Sequence, residues 1–409
     1  MSNTVQVKHK RSPLFIISLL GALSVVSPFA IDMYLPAFLQ VAQDFSVSTA
    51  MIPLTVAAYF IGLASGQLFY GPLLDRYGRK KPLTAGLAVF ILSSVGCALA
   101  QDMNTLILMR FIQGLGGCVA QIASIAMVRD FFPAKDTARI ISRLILFISV
   151  SPMLAPSIGN LVINLSGWRA VFIMLMVVVI IILSLTTFLL PEGHKPDKSI
   201  SLKPWPIIKE YGAILKHPRF SIYAIAGSFS FAGLFIYVAG SPIIFMEGFQ
   251  LSPEAYSGLF ALLATGFIGG SQLNVWLLKR FTSQQLFLRV LIIQTLSGLA
   301  FVIGTVLGWY DLIGTAVLFY IFLSGGGIAY PNAAALALTP FTKNVGSASA
   351  LLGFIQLGLG SFISAGVSAA NMRGSLPIVI ILAVTAIMGL TILLLGKKRA
   401  EAAPLTEDV

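Results

Sequence analysis

LFIISLLGALSVVSPFAIDMYLP, residues 14–36, reads as a membrane span that is interrupted near its end. From Leu14 to Val26 it carries no charge, and then Pro28, Asp32 and Pro36 follow in quick succession. A carboxyl inside such a run is costly, and where one occurs it usually faces a cavity or a partner. The two prolines interrupt helical bonding on either side of it, leaving backbone groups free to line a cavity. Whether the rest of the chain is built of the same material decides the fold.

It is. The chain has 409 residues, of which 57% are hydrophobic and only 10% charged. That balance places it in the membrane class. Apolar runs of about 20 residues, enough to span ~30 Å of hydrocarbon, begin near Leu14, Ile52, Pro82, Thr105, Ala138 and Trp168. Six more begin near Phe220, Ala255, Leu286, Leu312, Gly346 and Leu376. No strand-like alternation with turn signals accompanies them, which argues against a β-barrel. The expected fold is an all-α polytopic membrane protein with twelve transmembrane helices in two six-helix bundles, facing each other across a cavity. The polar insertion PEGHKPDKSISLKPWPIIKEYGAILKHPR divides the spans six and six. It sets the expected boundaries: an N-terminal bundle at 1–190, a linker at 191–219, a C-terminal bundle at 220–396 and a disordered tail at 397–409. A short interfacial helix is expected around Trp205–Leu215.

The formal net charge is +12, which taken alone suggests a nucleic-acid partner. The positions of the charges argue otherwise. With the N-terminus in the cytoplasm, Arg169 and Arg373 are the basic residues of the outer loops, and every other Lys or Arg except Arg110 falls on the inner side. This positive-inside bias places both termini in the cytoplasm and explains the basic charge without an acidic ligand. The basic start followed by an apolar run also has the outline of a signal peptide, but the run is too long and no small-residue cleavage site follows it. Cys97 and Cys118 fall at different depths of two spans, so a disulfide is not expected. The three histidines, His9, His194 and His217, lie in a terminus and a loop without metal-ligand spacing. No Gly-rich loop ending in Gly-Lys-Ser/Thr is present, so neither a nucleotide nor another cofactor is expected.

A census of acids leaves Asp32 alone within a span, and the same census of bases leaves Arg110, in LILMRFIQGLGG. Helical rise puts Asp32 ~12 Å and Arg110 ~9 Å from the same outer surface. The two are therefore expected to pair or to share a wet pocket, and a purely structural ion pair is the plain alternative. Burial favours the neutral form of a carboxyl and a neighbouring cation favours its charged form, so access of water or ligand can switch protonation. Small residues at four-residue spacing (Ala58, Gly62, Gly66; Ser151, Ala155, Gly159; Gly258, Gly266, Gly270) mark close helix contacts, either static or sliding.

GPLLDRYGRKKPL, residues 71–83, carries Gly71, Asp75, Arg76, Gly78 and Arg79 and resembles the signature of the major facilitator superfamily at every specified position. The resemblance implies that Asp75 and Arg76 engage the facing bundle and stabilise one state of a transport cycle. RFIQGLGG, with Arg110, Gln113 and Gly114, resembles the fourth-span motif of proton-coupled members, in which the Arg assists proton transfer. SPMLAPSIGN, with Pro156 and Gly159, resembles the antiporter motif, although Ala155 and Asn160 stand where that pattern has Gly. DMYLPAF, GQLFYGPLLDRYGRK, YPNAAALALTPF and GSASALLGFIQ are similar to the Bcr/CflA branch of drug:proton antiporters. In that branch the acid of the DMYLP segment titrates the proton, which implies that role for Asp32.

The resemblance implies a proton-coupled transporter, not an enzyme, which exports drugs or other small amphipathic molecules by alternating access. A transporter of an endogenous metabolite, such as a nucleoside, amino acid or siderophore, would keep every motif. Expected partners are the small-molecule substrate, protons and the lipid bilayer, with no nucleic acid and a monomeric state. Aromatic walls with a few polar groups suit amphipathic substrates. The candidates are Asp32, Tyr59, Phe231, Phe235, Tyr237, Tyr330, Asn332 and Gln356, with a kink expected at Pro242.

Overall fold

A computed structural model describes residues 12–193, 196–197, 204–341, 344–369 and 374–403. His9, His194, Lys343, Arg373 and the end of the expected tail lie outside the described residues. Among the described residues there is no strand, and twelve helices are long and apolar enough to cross a membrane.

In chain order the helices are α1 (Pro13–Asp32), α2 (Phe38–Asp44), α3 (Pro53–Tyr77), α4 (Lys80–Leu99), α5 (Met103–Phe131), α6 (Ala134–Ser166) and α7 (Arg169–Leu189). After the linker come α8 (Pro204–Lys216), α9 (Pro218–Pro242), α10 (Pro253–Leu277), α11 (Ser283–Val306), α12 (Leu312–Leu338), α13 (Val345–Ala369) and α14 (Ser375–Ala402). The stretch Trp205–Leu215, where a short helix is expected, lies within α8. The last helix runs through Lys397, Lys398 and Arg399 to Ala402, where the sequence reading has an unordered tail.

Local chemistry sets many of the ends. Ser12, Asp102, Ser252, Thr282 and Asp311 each accept a hydrogen bond from a first-turn N–H of the helix that follows. Proline opens α1, α9 and α10, where its missing N–H costs nothing. At Pro242, where a kink is expected, α9 passes into a π-helical turn over Ile243–Gly248. That wider turn is one way a helix absorbs the bond a proline cannot make.

The chain divides into two compact units: Met1–Ala37 with Ile61–Leu202, and Phe38–Phe60 with Lys203–Val409. The sequence boundaries keep Phe38–Phe60 with the N-terminal half. In the structure this segment groups with the second unit, where Thr49 Oγ1 donates to Glu247 Oε2 at 2.5 Å. Phe60 also meets Phe235 edge-on, with ring centroids 4.3 Å apart.

Within the first unit the small-residue stripes are close backbone contacts. A Cβ on Gly62 would overlap the carbonyl of Phe111, and one on Gly159 would overlap the backbone of Met33. In the second unit Gly270 seats against Ser324 in the same way, while Gly258 faces open space. Packing of this kind replaces the hydrophobic effect as the force between helices in lipid.

Candidate functional site

The first site grows from the break in span 1. Beyond Asp32 the chain leaves the α-helix through a turn at Met33–Tyr34 and a 3-10 turn over Leu35–Ala37 that contains Pro36. In an unbroken helix the N–H of Tyr34 would bond to the carbonyl of Ala30. Here it bonds to Ile31 O instead, at 3.2 Å. The Ala30 carbonyl is thereby released, and Arg110 Nη1 of α5 donates to it at 3.0 Å. A cation at the C-terminal end of a helix satisfies an orphan carbonyl and complements the helix dipole at once.

Arg110 is fully buried and held from several sides. The same Nη1 donates to Gln113 Oε1 at 2.6 Å, Gln113 Nε2 donates to Ser94 Oγ at 2.8 Å, and Ser94 Oγ donates to the carbonyl of Phe90 at 2.7 Å. The guanidinium lies 5.2 Å from the ring centroid of Tyr34 and 5.7 Å from that of Phe172, within cation–π range. α1 and α5 are tied again by Ser24 and Ser124, whose hydroxyls are 2.7 Å apart.

Asp32 is 6% exposed and makes no hydrogen bond or ion pair with any described residue. The structure therefore brings Arg110 to the helix that carries Asp32, two residues upstream of it, without an ion pair between the two side chains. Of the antiporter-like segment, Gly159 rests against Met33, the residue after Asp32, so α6 contacts the break by its glycine. Pro156 lies one turn earlier inside the same helix.

The inner loop signature forms a second cluster. Gly78 takes a φ of +81°, which an L side chain rarely adopts, and lets the chain turn from α3 into α4. Arg79 then reaches back: its Nη1 donates to Asp75 Oδ1 at 2.6 Å, and its Nε to Asp130 Oδ2 at 2.7 Å. Burial disfavours the Arg79 charge, but the hydrogen bonds to Asp130 and Asp75 outweigh it and hold its pKa above the ordinary value. Glu192 caps α4 from the far end of the unit's sequence, accepting from the N–H of Arg79 at 2.6 Å and of Lys80 at 3.3 Å. Lys80 Nζ donates to the carbonyl of Thr187 at 2.7 Å. Arg76 stacks over Tyr77, and Gly71 stands with open space beside it. Asp130 and Glu192 carry no motif signal in the sequence, and the fold brings both to this cluster. Gly114 packs against Gly62 of α3.

The expected substrate residues separate into groups. Phe231 lies 4.7 Å from the ring of Tyr330 and edge-on to Phe235 at 5.3 Å. Of the three, Phe231 lines a narrow crevice together with Ser230, Phe267 and Gln294, and Phe235 and Tyr330 are not part of its wall. Gln294 Oε1 accepts from Ser230 Oγ at 2.6 Å and was not singled out from sequence. Tyr237 instead stacks on Phe260 at 5.2 Å and meets Phe319 at 5.5 Å, in a packed aromatic cluster on another side of α9. Asn332 donates to Asn274 Oδ1 at 2.6 Å and to Ile328 O at 2.8 Å, so its amide ties α12 to α10. Gln356 is 4% exposed, and its Nε2 has no hydrogen-bond partner among the described residues. Tyr59 is fully buried near the start of α3.

Comparison with known proteins places this geometry. A family model described as Major Facilitator Superfamily matches residues 20–365. An uncharacterised major-facilitator-type transporter of Bacillus subtilis, YdgK, is 32% identical over 376 residues, which cover 91% of this chain and 92% of that protein. A bicyclomycin resistance protein homolog of Haemophilus influenzae is 29% identical, covering 91% and 93%. The multidrug resistance protein MdtL of Escherichia coli is 28% identical, covering 82% and 84%. Among solved structures, a D-xylose–proton symporter superposes with a TM-score of 0.73 at 16% identity, covering 96% of this chain and 99% of that one. At that identity the likeness speaks for the fold alone.

Proposed function

The chain belongs to the major facilitator superfamily, and from that premise we propose that it is a proton-coupled exporter of drugs or similar small amphipathic molecules. As a multi-pass transporter of that family it handles a small molecule within a bilayer; direction, coupling and substrate are the proposal. The names of its relatives, bicyclomycin and multidrug resistance proteins, support the substrate class.

The observation that carries the coupling is Asp32: a buried carboxyl at a broken helix, with no hydrogen-bond or ion-pair partner among the described residues. Arg110 Nη1 donates to the Ala30 carbonyl and to Gln113 Oε1 and makes no bond to the Asp32 carboxyl. Whatever enters beside such a carboxyl, water or a polar or cationic substrate, decides whether the proton stays. In the cycle proposed, the inward-open protein takes substrate with Asp32 ionised. After the switch outward a proton from the periplasmic side occupies Asp32 and releases the substrate, and the protonated form returns inward and gives the proton up to the cytoplasm. A transmembrane potential adds ~2.3 kcal/mol per charge per 100 mV, enough for one proton to drive accumulation. In this scheme the protein works in the inner membrane with both termini in the cytoplasm.

The test is expression in a bacterium stripped of its own efflux pumps, screened against bicyclomycin, chloramphenicol and a panel of amphipathic antibiotics with and without an uncoupler. Resistance that the uncoupler abolishes is expected. Resistance indifferent to the uncoupler, or uptake in place of export, would overturn the assignment.

A further inference from the structure

The linker helix α8 has two apolar faces, and the transport reading uses neither. One is internal: Ile214 is fully buried in the core of the second unit, and Tyr211 packs against that core. The other points away from the protein. Trp205 is 75% exposed, Ile208 58% and Leu215 41%. At ~100° per residue these three fall with Gly212 in one narrow stripe along the helix. Lys209 and Lys216, both exposed, each follow a stripe residue and line one margin of it. Glu210, the acid of this helix, lies about half a turn away from the stripe.

We propose that this stripe is a docking surface for anionic phospholipid: Trp205, Ile208 and Leu215 enter the acyl boundary while Lys209 and Lys216 meet the acidic headgroups. Three observations select that occupant. A 13-residue helix is ~20 Å long and cannot cross the hydrocarbon. Only His217 separates α8 from Pro218, the first residue of a span, so α8 lies at the membrane boundary. The charge is complementary, since the linker sequence 191–219 carries six Lys and Arg residues against three acids. An apolar stripe with an exposed Trp and flanking lysines is the composition of an in-plane interfacial helix. Lysine stems lie along apolar surface while their ammonium groups reach outward. The inference needs only that the neighbouring helix spans the bilayer, and it holds whichever way substrate moves.

Site-directed spin labelling tests it in the full-length protein. Both native cysteines are buried, Cys97 and Cys118, which leaves Ile208→Cys and Leu215→Cys as the labelling sites. In bilayers containing phosphatidylglycerol, labels at both positions should collide with oxygen and be shielded from an aqueous nickel chelate. In phosphatidylcholine alone, nickel access should rise. Each lysine near an anionic surface favours docking about fivefold, so Lys209→Gln with Lys216→Gln should erase the difference between the two lipids. Equal nickel access in both bilayers overturns the proposal, as does spin–spin broadening between labels on neighbouring molecules, which would mean that another copy covers the stripe.

Discussion

Replacing Arg110 with Met should destabilise the first unit by leaving acceptors stranded, more than by deleting a charge. The side chain is fully buried, and one of its nitrogens serves both Ala30 O at 3.0 Å and Gln113 Oε1 at 2.6 Å. Each buried acceptor left without a donor costs about 1–3 kcal/mol, so the single change should cost about 2–6 kcal/mol before loss of the contacts with Tyr34 and Phe172. Removing a buried guanidinium also ends its own desolvation penalty, which pulls the figure toward the lower end. The mechanism is exposed by a double-mutant cycle with Gln113→Leu. In the double variant the Gln113 acceptor no longer exists to be stranded, so the two changes together should cost about 1–3 kcal/mol less than their sum. Reversible unfolding in mixed detergent–SDS micelles, followed by tryptophan fluorescence, measures all four corners. Additivity to within about 0.5 kcal/mol would refute the reasoning, because residues that share no interaction add to that precision. Arg110→Lys adds a control: it keeps the charge but not the planar guanidinium whose Nη1 reaches both acceptors, and should fall between wild type and Met.

Three further outcomes follow from particular contacts. Asp130→Ala should cost about 3 kcal/mol of unfolding free energy, since it takes a buried partner from Arg79, whereas Asp75→Ala, whose side chain is 50% exposed, should cost about 1 kcal/mol or less. The same micelle titration ranks them, and the reverse order would contradict the cluster described. His217→Phe should raise the thermal midpoint, because both ring nitrogens are buried without a hydrogen bond to any described residue while the ring packs edge-on to Phe341 at 5.7 Å; a lowered midpoint would show that the imidazole has a use. Asp102 caps α5, and the hydroxyl and amide of Thr105 hold its carboxyl below the ordinary aspartate range. A depressed carboxyl contributes stability above its unfolded pKa and loses it as pH falls through the folded value. The deficit of Asp102→Ala should therefore be full at neutral pH and shrink in acid, and a deficit that grows in acid would reverse the sign.

Much of this molecule is legible in its sequence because lipid is an unforgiving solvent. A span must be about 20 apolar residues long, and an acid or base inside one stands out, which is why counting alone isolates Asp32 and Arg110. Counting cannot say what Arg110 holds. That depends on Tyr34 N–H turning to Ile31, which frees a carbonyl that no side-chain pattern encodes. Glu192 likewise reads as one more acid of a polar linker until the fold carries it to the N-terminus of α4. The amides of Asn332 and Asn274 lie 58 residues apart, and their pairing is a fact of helix packing. The separation of Tyr237 from Phe231 was within reach of the sequence: six residues at ~100° each turn them about 120° apart on α9. The small-residue stripes were readable as close contacts, but only the backbone shows that Gly159 meets the residue beside Asp32.

The central claim, that Asp32 carries the transported proton, is tested most directly in proteoliposomes loaded with a pH-sensitive dye. With a substrate from the resistance screen, the wild-type protein should move protons against substrate flow when either gradient is imposed. Asp32→Asn keeps the size and polarity of the side chain and should abolish substrate-driven proton movement while substrate binding or exchange persists. Full proton-coupled transport by Asp32→Asn would contradict the account.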